Sequence, residues 1–127
     1  MIVASFAEAQ EQLYWELGDQ LLALIGGTEY ASDWHEVMFT VERVKVAEAS
    51  HVGVQFAFAI DLRTLDGSRF PFIVRPEMVE TIGRLDQLCR EHSTEIWTRL
   101  IYRLSVESEG PKYECHFEYA ANPEDTN

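Results

Sequence analysis

From Glu95 to Tyr119 apolar and polar residues alternate almost without a break. Ile96, Thr98, Leu100, Tyr102, Leu104 and Val106 alternate with Trp97, Arg99, Ile101, Arg103, Ser105 and Glu107. That period of two is the pattern of a long strand with one buried face. Glu109, Gly110 and Pro111 interrupt it, and Tyr113, Cys115, Phe117 and Tyr119 then alternate with Lys112, Glu114, His116 and Glu118. Two such runs joined by a short Gly-Pro loop predict a β-hairpin.

The period changes to that of a helix at the other end of the chain. Ser5 with Glu8 fits a capping box. Phe6, Leu13, Leu17, Leu21 and Leu24 then recur at helical spacing as a core face, up to about Ile25. Gly26-Gly27 offers a residue tolerant of positive φ for the stop. After a loop over 28–33, Val37, Phe39 and Val41 alternate with Met38, Thr40 and Glu42 in a strand that starts at Trp34 and runs to about Glu48. The apolar phase then slips to Val44 and Val46, which predicts a bulge near Arg43. Ala49-Ser50 reads as a turn, and Val52, Val54, Phe56, Phe58, Ile60 and Leu62 form a second strand. Asp66-Gly67 is a hairpin turn signal. Phe70, Phe72 and Val74 form a third strand, which Pro71 assigns to a sheet edge.

Arg75-Pro76 opens a second helix, with Met78, Ile82, Leu85, Cys89 and His92 as its buried stripe. Gly83 inside it suggests close packing on the sheet. Residues 120–127 are polar and expected to fray. The predicted architecture is one α+β domain over residues 1–127, in the order α-β-β-β-α-β-β. Its five strands form a mainly antiparallel sheet, with both helices on one face and the other face open to water or a partner.

Composition narrows the class. The chain has 127 residues, 46% of them apolar, enough for one core without covalent staples. No apolar run reaches membrane-spanning length, and the start, MIVASFAEAQ, lacks the basic segment of a signal peptide. The two cysteines lie 26 positions apart and suit reduced thiols in a cytoplasmic protein.

Charge adds a direction. The net charge is −12, and residues 1–42 hold eight acidic residues with no Lys or Arg. Residues 43–103 are close to balanced, and 104–127 hold six acidic residues and one basic. Nucleic acid and acidic membranes are disfavoured as partners, because both need clustered Lys and Arg. A basic protein surface is favoured.

Motifs for chemistry are absent. His35, His51, His92 and His116 show no His-x-x-x-His spacing, and there is no Cys-x-x-Cys, Gly-x-Ser-x-Gly or P-loop. Cys115 and His116 are strand neighbours that point to opposite faces. The expectation is no enzyme, no metal and no cofactor. Binding residues are easier to find. Glu8, Glu11, Trp15, Asp19 and Leu22 share the outer stripe of the first helix, where an aromatic ring among carboxylates suits an interface anchor. Tyr30, Asp33 and Glu36, around Trp34, form a second candidate patch.

The last two strands also carry a resemblance. Glu95-Ile96-Trp97-Thr98, the alternating residues after it, and Lys112-Tyr113-Glu114-Cys115-His116-Phe117-Glu118-Tyr119 resemble the C-terminal hallmark of the YezG/EsaG-type antitoxin family. The first helix and the strand from Trp34 are similar to that family's layout. Trp97, Phe117 and Tyr119 match as core or hairpin residues and take no binding role from it. The second helix is shorter and less acidic than the family's, and the Glu109-Gly110-Pro111 loop departs from its pattern. The resemblance implies a cytosolic immunity protein, monomer or homodimer, that binds and neutralises a cognate secreted toxin, often a nuclease. Secretion chaperones of the type III class resemble the chain in size, acidity and element order. They imply instead a dimer that holds an unfolded effector segment.

Overall fold

The computed structural model describes residues 5–45, 54–92 and 96–119. The elements follow in the predicted order: α1 (Phe6–Gly26), β1 (Trp34–Lys45), β2 (Val54–Thr64), β3 (Arg69–Phe72), α2 (Pro76–His92), β4 (Trp97–Glu107) and β5 (Gly110–Tyr119). The strands make one sheet in the order β3-β2-β1-β4-β5, with every neighbouring pair antiparallel. β3, with Pro71, lies at an edge as expected, but it ends at Phe72 and leaves Val74 outside the ladder.

Alternation along the strands sends Val37, Phe39 and Val41, Ile60 and Leu62, and Leu100, Tyr102 and Leu104 to one face of the sheet. There they meet Leu13, Leu17, Leu21 and Leu24 of α1 and Met78, Ile82 and Leu85 of α2 in a single core. The fold is therefore a single α+β layer pair. Ser5 caps α1, its hydroxyl accepting from the Glu8 N–H at 3.2 Å. No described helix is long and apolar enough to cross a membrane.

Several local expectations fail for identifiable reasons. β1 has no bulge at Arg43; its ladder with β2 is continuous from Glu36 to Lys45, and the register shift lies between Trp34 and Glu36. The break in hydrophobic phase is instead a buried arginine. The Arg43 side chain keeps the inward phase, donates from Nε to the Trp97 carbonyl at 2.9 Å and reaches the Asp86 carboxylate at 2.5 Å. Its guanidinium carbon sits 5.2 Å from the Phe56 ring centre and 4.8 Å from that of Trp97. Asp86 and Thr81 accordingly belong to the buried stripe of α2, whereas Cys89 is half-buried and His92 is exposed, its ring against Phe6 at 4.8 Å.

A second phase change was hidden in the final hairpin. The register between β4 and β5 shifts between Trp97 and Arg99, which turns Trp97 inward beside Leu100 and leaves Ile96 exposed. The loop itself is Ser108-Glu109: Glu107 lies opposite Gly110, at φ +121°, and Pro111 pairs with Val106 within the ladder. α1 ends without a left-handed residue. Gly27 has φ −85°, and Thr28 closes the helix by donating its N–H and hydroxyl to the Ile25 carbonyl at 3.0 and 2.7 Å. Gly83 faces open space, so close packing does not explain it. The expected Ala49-Ser50 turn, Val46, Val52 and the expected fraying of residues 120–127 lie outside the described residues.

Candidate functional site

α1 crosses the sheet above β4 and β5. It comes close to β4 at Gly18, where an added Cβ would meet the Tyr102 hydroxyl at 2.9 Å. Tyr102 donates that hydroxyl to the Tyr14 carbonyl at 2.7 Å, pinning helix to sheet. Its ring stacks on Tyr113, with centroids 5.7 Å apart and planes 8° apart. Trp15 meets Tyr113 edge-on at 5.3 Å and 78°.

These contacts enclose a small cleft of about 90 Å³, lined by Trp15, Gly18, Asp19, Leu22, Tyr102, Leu104, Pro111 and Tyr113. Trp15 is 56% exposed although it forms a wall, so one side of the indole is open to solvent. Asp19 follows it by one helical turn and Glu11 precedes it by one, so carboxylates flank the ring along the helix axis. The field is felt by the tyrosines. Burial and then the Glu11 carboxylate raise the Tyr113 hydroxyl above its ordinary pKa. Burial chiefly, with Asp19 adding a little, raises Tyr102.

The structure thus brings Trp15, Asp19 and Leu22 together, with Glu11 beside them. Glu8 is exposed on the same stripe two turns earlier and lines no part of the cleft. Tyr30 and Asp33 do meet, in a more open cleft of about 340 Å³ shared with Thr64, Leu65, Asp66 and Phe70. Tyr30 stacks on Phe70 at 4.3 Å. Asp66 is held below the ordinary carboxylate range by the Thr64 hydroxyl and the Ser68 backbone. Trp34 is half-buried against the core.

Glu36 does not join this patch. Strand alternation puts it on the opposite, open face of the sheet, 3.5 Å from Arg103. The residues that pattern alone did not supply are Tyr102, Tyr113 and Pro111 in the first cleft and Phe70 and Asp66 in the second. The one local hint was Gly18, a helix-weakening residue three positions after Trp15.

Charge is divided between the two faces. By alternation, the open sheet face carries Glu36, Glu42, Asp61, Glu107, Glu114 and Glu118 against Arg63, Arg69, Arg99, Arg103 and Lys112. Several of these pair across strands, including Arg99 with both Glu42 and Glu118. That face is close to balanced, and most of the excess of acid lies elsewhere. α1 contributes Glu8, Glu11, Glu16 and Asp19 with no Lys or Arg of its own. Between the helices, Arg84 crosses to Glu16 at 2.5 Å over a shallow groove.

Chemical groups are sparse. No cluster of three or more His, Cys, Asp or Glu suited to a metal occurs among the described residues. Cys89 and Cys115 are free and half-buried. Burial pushes the Cys115 thiol up to about 12, so it is protonated at neutral pH and a poor nucleophile. No protein-family model matches the chain, and no curated protein matches it.

Proposed function

We propose that the protein is a cytoplasmic immunity protein, an antitoxin that neutralises a cognate secreted bacterial toxin by stoichiometric binding. The toxin is a nuclease or another protein with a cytosolic target. The observation that carries this reading is the half-exposed Trp15, set between Glu11 and Asp19 on a helix with no positive charge of its own. A solvent-exposed indole beside a small cleft is the kind of anchor around which protein interfaces concentrate their binding energy. Its acidic surroundings match a basic partner and would speed encounter with one. A nuclease offers such a surface wherever it holds phosphate, and the acidic helix would compete there directly or block the toxin by bulk. The resemblance of the final hairpin to the YezG/EsaG-type antitoxins supports the same reading.

The test is co-expression with the toxin domain encoded beside the gene. Restored growth and a complex of fixed stoichiometry by light scattering are expected. Trp15→Ala and Asp19→Lys should each weaken the complex at least about tenfold, the usual scale of an interface anchor, without unfolding the protein, as circular dichroism would show. If both variants protect cells as well as the parent chain does, the α1 surface is not the interface. If no neighbouring toxin is bound, the antitoxin reading fails. The secretion-chaperone reading is favoured by the element order and by the sheet face that no described helix covers. It predicts an obligate dimer that binds an unfolded segment rather than a folded domain.

A further inference from the structure

We propose that the Trp15–Asp19–Tyr113 cleft is a receptor for one arginine side chain projecting from the partner protein. This deepens the inhibitor reading and rests on it for the identity of the partner, though not for the chemistry of the site. Three independent features converge. The cleft has aromatic walls set almost at right angles, with the indole edge-on to Tyr113 at 78°. One side of the indole is unused by the protein, since Trp15 remains 56% exposed. Carboxylates sit one turn before and one turn after the ring, and α1 supplies no cation to neutralise them.

An apolar side chain would fill such a cleft without using the carboxylates. A carboxylate or phosphate would be repelled by them. A cation is accepted by both parts of the site, through the face of the indole and through Asp19. The choice of arginine over lysine follows from shape. A guanidinium is planar, sheds water more readily than an ammonium, and can lie flat on an indole while donating two parallel hydrogen bonds to one carboxylate. Its size also fits. The cleft, about 90 Å³, is well below the several hundred Å³ of a small-molecule pocket, the scale of one side-chain end rather than of a free metabolite. Leu22, Leu104 and Pro111 then receive the aliphatic stem. Tyr113 is the aromatic ring that touches the indole, at 78° to it, and Tyr113 is itself stacked on Tyr102, while more than half of Trp15 stays exposed.

The full chain, labelled with nitrogen-15, is titrated with N-acetyl-arginine amide and followed by the indole Nε1–H resonance of Trp15 and the amides of Asp19 and Leu22. Saturable shifts at these three positions are expected. N-acetyl-norleucine amide, which lacks the charge, should leave them in place, and the lysine analogue should bind more weakly than arginine. Asp19→Asn should weaken the arginine titration about three- to tenfold. Raising salt to about 0.5 M should weaken it too. Asp19→Asn changes neither size nor helix packing, so a folding defect does not confuse the result. Equal shifts with norleucine amide, an unmoved Trp15 resonance, or an Asp19→Asn titration identical to the parent would each overturn the proposal. The titration needs no toxin. Loss of arginine binding with neutralisation intact removes the receptor and leaves the antitoxin, whereas arginine binding without neutralisation does the reverse.

Discussion

The contact that holds α1 to the sheet can be tested by a substitution whose sign depends on a single oxygen atom. Gly18→Ala should stabilise a typical exposed helix by about 1 kcal/mol, because alanine loses less conformational freedom than glycine. Here the added methyl would lie 2.9 Å from the Tyr102 hydroxyl. That oxygen is the far end of a side chain, but it is not free to yield. Tyr102 is 0% exposed, its ring is stacked on Tyr113, and its hydroxyl donates to the Tyr14 carbonyl at 2.7 Å. Relief requires α1 to lift or the hydrogen bond to break. Overpacking of this kind costs about 1–3 kcal/mol, and a lost hydrogen bond about 1 kcal/mol. The clash outweighs the propensity gain, and Gly18→Ala should destabilise the protein by about 1–3 kcal/mol.

Tyr102→Phe removes the obstacle. Alone it should cost only about 1 kcal/mol, since the Tyr14 carbonyl keeps its partner within the helix and is not left unsatisfied. In that background Gly18→Ala meets no hydroxyl, so it should now stabilise, by up to about 1 kcal/mol. Urea denaturation of the four proteins in the cycle measures the coupling directly. A coupling of about 2 kcal/mol or more with a change of sign is expected. If Gly18→Ala stabilises both backgrounds alike, the close approach is not the reason for glycine, and the cleft is not held by this contact. The test bears on the site as well as on stability, because lifting α1 would draw the Trp15 edge off Tyr113.

Two further outcomes follow from buried groups. Asp86→Ala strands the Arg43 guanidinium, whose side chain is only 10% exposed; urea unfolding should show a loss of about 3–5 kcal/mol, and the double change Arg43→Met with Asp86→Leu should recover much of it. A loss below about 1 kcal/mol for Asp86→Ala would mean that the pair is effectively hydrated. Burial holds the Cys115 thiol near 12 against an ordinary 9.0, so its alkylation at pH 8 should be roughly a thousandfold slower in the folded protein than in urea. By linkage the unfolded chain gives up this proton first as pH rises, so the thiol's contribution is intact below about pH 9 and is lost between there and about pH 12. Cys115→Ala should remove that share of the alkaline destabilisation; an unchanged alkaline slope would refute the assignment.

The pattern of agreement and failure follows the range of the interaction involved. Helix and strand periods depend on residues a few positions apart, and each of the seven elements was legible at that range. A local pattern can register only that Arg43 interrupts an apolar phase, because its partner Asp86 lies 43 positions away. Trp97 departs from the alternation of its strand for a related reason. The register shift that turns it inward is a property of the pairing with β5, not of β4 alone. Glu36 is the converse case: it is close to Tyr30 and Asp33 in sequence, but one step of strand alternation carries it to the other face, beside Arg103.

The same division runs through the candidate site. Its helical half was visible beforehand, because a tryptophan with carboxylates at four positions on either side departs from what an outer helix face needs. Its sheet half, Tyr102 and Tyr113, was visible only as alternation, and 88 residues separate Tyr14 from the hydroxyl that fixes the two halves together. A binding site read from one element therefore names its charges and its anchor, while its depth, and so the size of side chain it admits, waits on the element packed beneath it. That is why the stripe pointed to a basic protein surface in general. Only with the walls of Tyr113 and Pro111 in place does a single guanidinium become the better fit.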